Sequence, residues 1–182
     1  QLRKVLPKNS AITLDAGTVC LQATDALEYY NPPSLFTPLD FGLVGFAFAC
    51  GLGVKVACPD KTVVSLMGDG GFGMTISELS TAVQYGINTI TIVMNNNSWG
   101  AEKAYQKDFF GKRYIGVDIN NPPFDKVAQL YGAIGFQVNK VSEVNEALKA
   151  ALKCNKAAVI NVNVDPKALY SFRRDSFKHR AK

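Results

Sequence analysis

The sequence predicts an α/β fold: a single doubly wound domain in which helices flank a central, mainly parallel sheet. Apolar runs typical of buried strands alternate along the chain with segments of helical periodicity. With 182 residues, of which 47% are hydrophobic and 19% charged, the chain is long enough to bury one core. We expect residues 1–165 to form this domain and residues 166–182 to form a basic C-terminal tail.

The strands are predicted from short apolar runs bounded by turn residues, a pattern typical of parallel strands buried on both faces. These runs occupy residues 10–17, 61–67, 88–94, 134–138 and 157–164. Three prolines within Asn31–Pro38 predict a loop, because proline does not fit a helix interior.

The helices are predicted from periodicity and end signals. After Phe41, small residues recur every four positions and predict a helix packed closely against a neighbour; they are Gly45, Ala49 and Gly53. Thr75 and Glu78 form a predicted capping box, and Gly86 stands where a helix end is expected. The buried stripe of that helix is expected to contain Ile76, Leu79 and Val83. Further helices are expected near residues 124–131 and 142–153, with a long loop after the asparagines at 95–97.

Two groups of turn-forming residues follow consecutive predicted strands: Gly-Asp-Gly-Gly at 68–71 and three asparagines at 95–97. In parallel α/β sheets, ligands bind beyond the carboxyl ends of the strands. Gly68, Gly70 and Gly73 also spell G-x-G-x-x-G, the dinucleotide fingerprint. However, Asp69 would place a carboxylate beside a pyrophosphate, and the next strand ends without an acidic residue for a ribose. Both features argue against a nicotinamide site.

A Mg²⁺ ion accounts for the same residues. The Asp69 carboxylate, an asparagine carbonyl and a nearby backbone carbonyl are oxygen ligands of the kind that Mg²⁺ takes together with substrate phosphate. Gly70 and Gly71 leave room for phosphate beside backbone N–H groups. The alternative is that Asp69 and the asparagines only form Asx-turns. The occurrence of both groups at neighbouring strand ends favours a diphosphate–metal site.

This pattern resembles the thiamin diphosphate motif, in which Gly-Asp-Gly precedes the second of two asparagines by about 27 residues; Asn96 follows Asp69 by 27 residues. The resemblance covers nearly the whole chain and matches the C-terminal, diphosphate-binding domain of the acetolactate synthase and pyruvate decarboxylase group. It implies thiamin diphosphate and Mg²⁺ as cofactors. It also implies that Asp69, the Asn96 side chain and the Ser98 carbonyl bind Mg²⁺. The glycines that it places at the diphosphate are Gly68, Gly70 and Gly71.

The segment "FGLVG" at 41–45 resembles the pyrimidine support of the same family. The resemblance implies that the Gly42 carbonyl accepts from the 4′-amino group and that Val44 holds the cofactor in its V shape. The alternative for Val44 is a plain core valine. In this family a glutamate from a separate pyrimidine-binding domain activates the cofactor, normally across an oligomer interface. We therefore expect a partner domain or subunit, and a chain that is either a C-terminal fragment or the second subunit of a split enzyme.

The run "WGAEK" at 99–103 resembles the sulfoacetaldehyde acetyltransferases, which convert sulfoacetaldehyde and phosphate to acetyl phosphate and sulfite. This resemblance implies a small anionic carbonyl substrate. Glu102 follows Asn96 by six residues, where some decarboxylases of the family place a catalytic acid, which implies a proton relay. Trp99 is expected to cover the cofactor. The alternatives are a surface Glu102 and a Trp99 that fills a core gap. Basic residues suited to two anions are Lys103, Lys107, Lys112 and Arg113. Rival functions are an acetolactate synthase, the second subunit of a sulfopyruvate-type decarboxylase, and a non-catalytic cofactor-binding or assembly subunit.

Charge and composition exclude several other classes. The net charge of +5 is modest and lies largely in the tail, without the aromatic platform or recognition motif of a nucleic-acid-binding protein. Glycines and Lys55 interrupt the longest apolar run, which argues against a membrane span. Four cysteines without C-x-x-C spacing favour reduced, buried thiols in the cytoplasm. The single histidine, His179, excludes a His-based triad within this chain.

Overall fold

Six parallel strands form one sheet in the order β2-β1-β3-β4-β6-β5 in the computed structural model, which describes residues 1–38 and 41–171. Every pairing between neighbouring strands of this sheet is parallel. The strands are β1 (Ser10–Leu14), β2 (Leu35–Phe36), β3 (Thr62–Gly68), β4 (Ile90–Asn95), β5 (Ile134–Val138) and β6 (Ala158–Asn163). The predicted α/β class with a mainly parallel sheet is confirmed.

Helices cover both faces of the sheet. They are α1 (Leu2–Val5), α2 (Thr18–Ala26), α3 (Phe46–Ala57), α4 (Asp69–Thr75), α5 (Glu78–Gln84), α6 (Gly100–Phe109), α7 (Phe124–Leu130) and α8 (Val144–Cys154), with a 3₁₀ turn at Val141–Glu143. None of the helices within the described ranges is long and apolar enough to cross a membrane.

The hydrophobic core is divided by the sheet into two layers. Successive strand residues point to opposite faces: Ile92 of β4 packs in the layer of α1, α2 and α8, and its neighbour Val93 packs in the layer of α3, α4, α5 and α7. In the second layer the rings of Phe48, Phe72 and Phe124 join α3, α4 and α7, with centroids 5.5 and 5.2 Å apart. This two-sided burial is the doubly wound arrangement that the continuous apolar runs predict.

Several elements differ from the sequence prediction. The segment expected to be a long loop after the asparagines contains α6, and the expected loop at Asn31–Pro38 contains β2, which pairs with the edge of β1. Helices α1 and α2 have no predicted counterpart. The helix α6 carries many polar residues, so its buried positions, Ala101 and Ala104, give no strong apolar stripe.

The predicted capping box at Thr75 is absent, because the chain is already helical from Asp69 onwards and Thr75 ends α4 instead of starting a helix. The Thr75 hydroxyl donates to the Gly71 carbonyl at 3.3 Å, and the Glu78 carboxylate accepts from Thr81 at 2.8 Å. In the expected buried stripe Leu79 is buried and Ile76 half-buried, whereas Val83 is exposed and Ala82 takes its place. Gly86 does end the helix, with a positive φ of 61°.

Of the predicted small-residue stripe within the described residues, Gly45 alone packs closely against a neighbour, since a Cβ added there would lie 2.9 Å from the Thr75 side chain of α4. Ala49 and Gly53 lie on the open face, and a Cβ added to Gly53 would meet no atom within 4 Å. Outside the stripe, a close approach to the sheet occurs at Gly51, where an added Cβ would lie 2.3 Å from the Ser65 hydroxyl of β3. The predicted close packing therefore occurs at Gly45, whereas the other two residues of the stripe lie away from the sheet.

The four cysteines are free thiols, of which only Cys20 is buried and the other three are half-buried. The tail expected from residue 166 is described only as far as Ser171. His179 and the basic residues after 171 lie outside the described residues.

Candidate functional site

A cavity of about 400 Å³ lies at the carboxyl ends of β1, β3 and β4. Strands β1 and β3 are neighbours in the sheet, but the chain continues from β1 to β2 on one side and from β3 to β4 on the other. Doubly wound sheets bind ligands where the connections diverge in this way. All of the sequence-predicted site residues line this cavity, namely Gly42, Val44, Gly68, Asp69, Gly70, Gly71, Asn96, Ser98, Trp99 and Glu102. The structure thus brings both groups of turn residues to one crevice.

The Asp69 and Asn96 side chains meet at the Ser98 backbone. The Ser98 N–H lies 3.2 Å from Asp69 Oδ2 and 3.2 Å from Asn96 Oδ1, so one donor lies between the two predicted ligand oxygens. The Ser98 hydroxyl also donates to the Asn96 carbonyl at 3.1 Å. The Asx-turn that stood as the alternative for the asparagines exists at Asn96. It occurs together with the convergence of the oxygen atoms of these side chains.

Asp69 is 98% removed from solvent, with 2% of its surface exposed. Burial raises the pKa of its carboxyl group above 3.8, although hydrogen bonds from Asn121 and from backbone N–H groups oppose the rise. Across residues 1–38 and 41–171, no group of three or more His, Cys, Asp or Glu side chains is arranged to hold a metal ion. One carboxylate accompanied by neutral oxygen atoms is a donor set that suits Mg²⁺, which takes one or two carboxylates.

Gly70 and Gly71 are glycines because neighbouring side chains occupy the space of a Cβ. A Cβ on Gly70 would lie 2.5 Å from the Trp99 ring, and a Cβ on Gly71 would lie 2.0 Å from Asp15 Oδ2. The packing of the chain thus requires glycine at both positions, independently of the predicted room for phosphate. Trp99 does line the cavity, and its ring packs on the backbone of Gly70.

Asp15 is a site residue that the sequence analysis missed. It follows β1, is 1% exposed, and its carboxylate accepts from Gly45 N at 3.1 Å and from Ala47 N at 3.2 Å. Burial raises the pKa of Asp15, and the N–H groups around the start of α3 partly lower it again. Asp15 thereby ties the end of β1 to the segment that carries Gly42 and Val44. The sequence did contain a signal for Asp15. This acidic residue follows a predicted strand, as Asp69 does.

Helix α6 forms one wall of the cavity through Gly100, Ala101, Glu102 and Tyr105. Glu102 is exposed at the cavity lip in the first turn of α6. Lys103, by contrast, is ion-paired with Asp118 at 2.5 Å and does not line the cavity. Among the basic residues that the sequence suggested for anions, none lines this cavity.

Asn121 is the second residue that the sequence analysis missed. Its Nδ2 atom lies 2.7 Å from Asp69 Oδ2 and 3.1 Å from Asn95 Oδ1. The loop that carries it is attached to the asparagine segment by backbone bonds from Trp99 N to Val117 O and from Ile119 N to Asn97 O. Residue 121 lies 52 positions from Asp69, and no local pattern relates them.

Residues 15–162 match the family profile described as "Thiamine pyrophosphate enzyme, C-terminal TPP binding domain". The chain belongs to this thiamine pyrophosphate enzyme family. The resemblance inferred from the Gly-Asp-Gly and asparagine motif is therefore confirmed, and so is its extent over most of the chain.

Other thiamine pyrophosphate enzymes are similar over most of this chain. A sulfoacetaldehyde acetyltransferase of Castellaniella defragrans is 33% identical over 180 residues, which is 97% of this chain and 30% of the relative. A probable acetolactate synthase large subunit of Methanococcus aeolicus is 33% identical over 165 residues, 90% of this chain and 28% of the relative. The chain thus spans about 30% of the length of the curated relatives that it matches.

A solved structure confirms the fold of this thiamine pyrophosphate enzyme domain. The thiamine diphosphate-dependent 4-hydroxybenzoylformate decarboxylase of Rhodococcus jostii superposes with a TM-score of 0.83 at 26% identity. The superposition covers 90% of this chain and 31% of the decarboxylase chain. The six-stranded parallel sheet is therefore the fold of this enzyme class.

Proposed function

We propose that this chain is the diphosphate- and Mg²⁺-binding part of an enzyme that acts on a 2-oxo acid or an aldehyde. One observation carries the proposal: at the crevice between β1, β3 and β4, Asp69 and Asn96 converge on the Ser98 N–H beside a wall of glycines. An arrangement of oxygen ligands next to the glycine backbone at the start of a helix suits a metal-bound diphosphate.

Asp69, Asn96 and the Ser98 carbonyl are the proposed Mg²⁺ ligands. The buried Asp69 carboxylate supports this assignment, because a divalent cation would offset the desolvation that raises its pKa. The donor set contains one carboxylate and otherwise neutral oxygen atoms, which leaves ligand positions for phosphate and water.

The diphosphate is proposed to lie against Gly68, Gly70 and Gly71 and the start of α2, where Gly17 and Thr18 also line the cavity. The first N–H groups of a helix lack partners within the helix and attract anions. Thr18 was not among the sequence-predicted residues, and the position of α2 suggests it as a further contact.

Gly42 and Val44 are proposed to support the pyrimidine ring. Gly42 has a φ of 67°, a left-handed conformation that glycine adopts without strain, and Val44 is half-buried on the cavity wall. Bound thiamin diphosphate supplies a centre that stabilises a carbanion beside a carbonyl group. The residues of this chain would bind and orient the cofactor, and Glu102 at the cavity lip would relay protons.

The partner that we propose is a pyrimidine-binding domain or subunit that supplies the activating glutamate within an oligomer. A second, apolar groove of about 860 Å³ supports this proposal, because it adjoins the cavity at Val44 and follows the open face of α3. Leu43 is 50% exposed there, beside exposed Ala49 and Gly53. The relatives are about three times as long as this chain, which leaves ample sequence for such a domain. We also propose a cytoplasmic location.

For the reaction we propose that sulfoacetaldehyde and phosphate are converted to acetyl phosphate and sulfite. The relatives named sulfoacetaldehyde acetyltransferase support this proposal, since their similarity extends over 97% of the chain. Acetolactate synthesis is the second candidate, because similar relatives carry that name.

The cofactor site is tested by calorimetric titration of Mg²⁺ and thiamin diphosphate into the intact protein with its pyrimidine-binding domain or subunit present. Asp69→Ala is expected to abolish Mg²⁺-dependent binding, because it removes the only carboxylate of the set. Asp60→Ala, on the exposed turn before β3, is the matched control and should bind as the wild type does. Unchanged affinity in Asp69→Ala would refute the ligand assignment.

The reaction is tested by supplying the same protein with sulfoacetaldehyde and phosphate and, separately, with pyruvate. We expect acetyl phosphate in the first assay. Acetolactate from pyruvate without any acetyl phosphate would replace the proposed reaction by the second candidate. Cofactor binding without turnover of either substrate would favour a non-catalytic subunit.

A further inference from the structure

An amide side chain holds the Asp69 carboxylate from outside the cavity. Asn121 Nδ2 donates to Asp69 Oδ2 at 2.7 Å. The same oxygen also accepts from Ser98 N, at the longer distance of 3.2 Å. Asp69 and Ser98 line the cavity, whereas Asn121 does not. The amide therefore contacts the carboxylate without occupying the space in which a ligand would bind.

The amide of Asn121 is itself held by a row of amides across the sheet. It donates to Asn95 Oδ1 at 3.1 Å, Asn95 Nδ2 donates to Asn161 Oδ1 at 3.1 Å, and Asn161 Nδ2 donates to Gln137 Oε1 at 2.7 Å. This row runs from the end of β4 through β6 to β5. Within the row each oxygen accepts and each nitrogen donates, and the backbone N–H of Asn97, which donates to Asn95 Oδ1 at 3.1 Å, fixes its direction. Asn121 must then present N–H groups to Asp69.

Backbone bonds tie the loop of Asn121 to the segment that carries the other predicted ligands. Ile119 N donates to Asn97 O at 2.9 Å, Trp99 N donates to Val117 O at 2.8 Å, and Ser98 and Asp118 form an isolated antiparallel bridge. A third acceptor for Asn121 Nδ2 is Asn97 Oδ1 at 3.3 Å. Hydrogen bonds therefore link the loop, the asparagine segment and Asp69 to one another.

We propose that Asn121 is a positioning residue, which orients the Asp69 carboxylate for Mg²⁺ and transmits the rigidity of the amide row to it. The inference rests on the proposed function of Asp69 as a metal ligand. Residues that hydrogen-bond to a metal-ligating carboxylate fix its orientation, and their loss typically lowers metal affinity about 10- to 100-fold. Asn121 acts through Asp69 and has no contact with the ion itself.

The experiment measures the Mg²⁺ Kd by calorimetry in the intact protein at saturating thiamin diphosphate, with its pyrimidine-binding domain or subunit present. Asn121→Ala is expected to raise the Kd about 10- to 100-fold. Asn121→Ser keeps a shorter hydroxyl donor and should recover part of the affinity. Asn120→Ala, an exposed neighbour in the same loop, is the matched control and should leave the Kd unchanged.

Asn121→Asp separates positioning from direct ligation, because aspartate keeps the shape but presents no N–H to Asp69. We expect it to weaken Mg²⁺ binding at least as much as Asn121→Ala does. Mg²⁺ binding by Asn121→Asp that is as tight as in the wild type, or tighter, would overturn the proposal and indicate a direct ligand instead. Wild-type affinity in Asn121→Ala would overturn it as well.

Two further measurements complete the interpretation. A purely structural loop residue would lower the thermal midpoint of the metal-free protein while leaving the Mg²⁺ Kd unchanged, and that result overturns the proposal. If Asn121→Ala does not fold, the Kd of Asn121→Ser decides, and a Kd equal to that of the wild type overturns the proposal. Failure of the proposed function gives a different result: the wild type then binds no Mg²⁺, or Asp69→Ala binds it normally.

Discussion

Gly71→Ala is expected to destabilise the protein, although alanine is the better helix former. Gly71 lies within α4, where the intrinsic preference for alanine over glycine is about 1 kcal/mol. The added Cβ, however, would lie 2.0 Å from Asp15 Oδ2 and 3.3 Å from Gly45 N. Asp15 cannot turn away freely, because Gly45 N and Ala47 N hold its two carboxylate oxygens.

The magnitude follows from these contacts. Forcing a methyl group into a packed interior costs about 1–3 kcal/mol, and each hydrogen bond to a charged group contributes about 1.5–3 kcal/mol. If the clash breaks one of the two hydrogen bonds to Asp15, and the helix preference of alanine offsets about 1 kcal/mol, the free energy of unfolding should fall by about 1.5–5 kcal/mol.

The assay is urea denaturation followed by circular dichroism, with Gly73→Ala as the matched control. Gly73 lies in the same helix, is exposed, and an added Cβ would meet no atom within 4 Å. Gly73→Ala should therefore stabilise the protein by about 0.5–1 kcal/mol, the opposite sign from Gly71→Ala. A Gly71→Ala protein as stable as the wild type would refute the reasoning. In the double variant with Asp15→Ala, the cost of Gly71→Ala should be smaller than in the single variant.

Three other predictions concern the sheet, the buried carboxylate and the cavity lip. Gly135→Ala should lower the free energy of unfolding by about 3 kcal/mol or more in urea titrations. The reason is that the added Cβ would lie 1.9 Å from the Asp125 carbonyl oxygen of α7. A variant as stable as the wild type would contradict this close packing. Asp69→Asn should make the metal-free protein more stable at neutral pH, because burial raises the pKa of Asp69 and so penalises its ionised form. The gain in stability should vanish as the pH falls below 3.8, where the carboxyl group is protonated in the unfolded chain as well. Denaturation curves from pH 7 to pH 3 check this sign, and a constant difference would contradict it. Glu102→Gln should lower kcat about 100-fold or more while the thiamin diphosphate Kd stays unchanged. A loss of thiamin diphosphate affinity as large as the loss of kcat would indicate a binding role instead.

Buried strands could be predicted from the sequence because their signal is local. Apolar residues dominate β3, β4 and β6, whose central positions are buried, and burial on both faces of a sheet favours such a composition. The predicted capping box at Thr75 was wrong for the corresponding reason. Short patterns of polar residues occur in several local structures, and here the chain is already helical from Asp69, so that Thr75 ends a helix instead of starting one.

The sequence by itself determined the strand cores, the parallel α/β class and the two groups of turn residues at neighbouring strand ends, because periodicity and the spacing from Asp69 to Asn96 are properties of one stretch of chain. Only the tertiary structure decided which distant side chains support that site. Asp15 and Asn121 reach Gly71 and Asp69 across gaps of 56 and 52 residues. Their roles depend on strand order and loop path, and no local pattern encodes these.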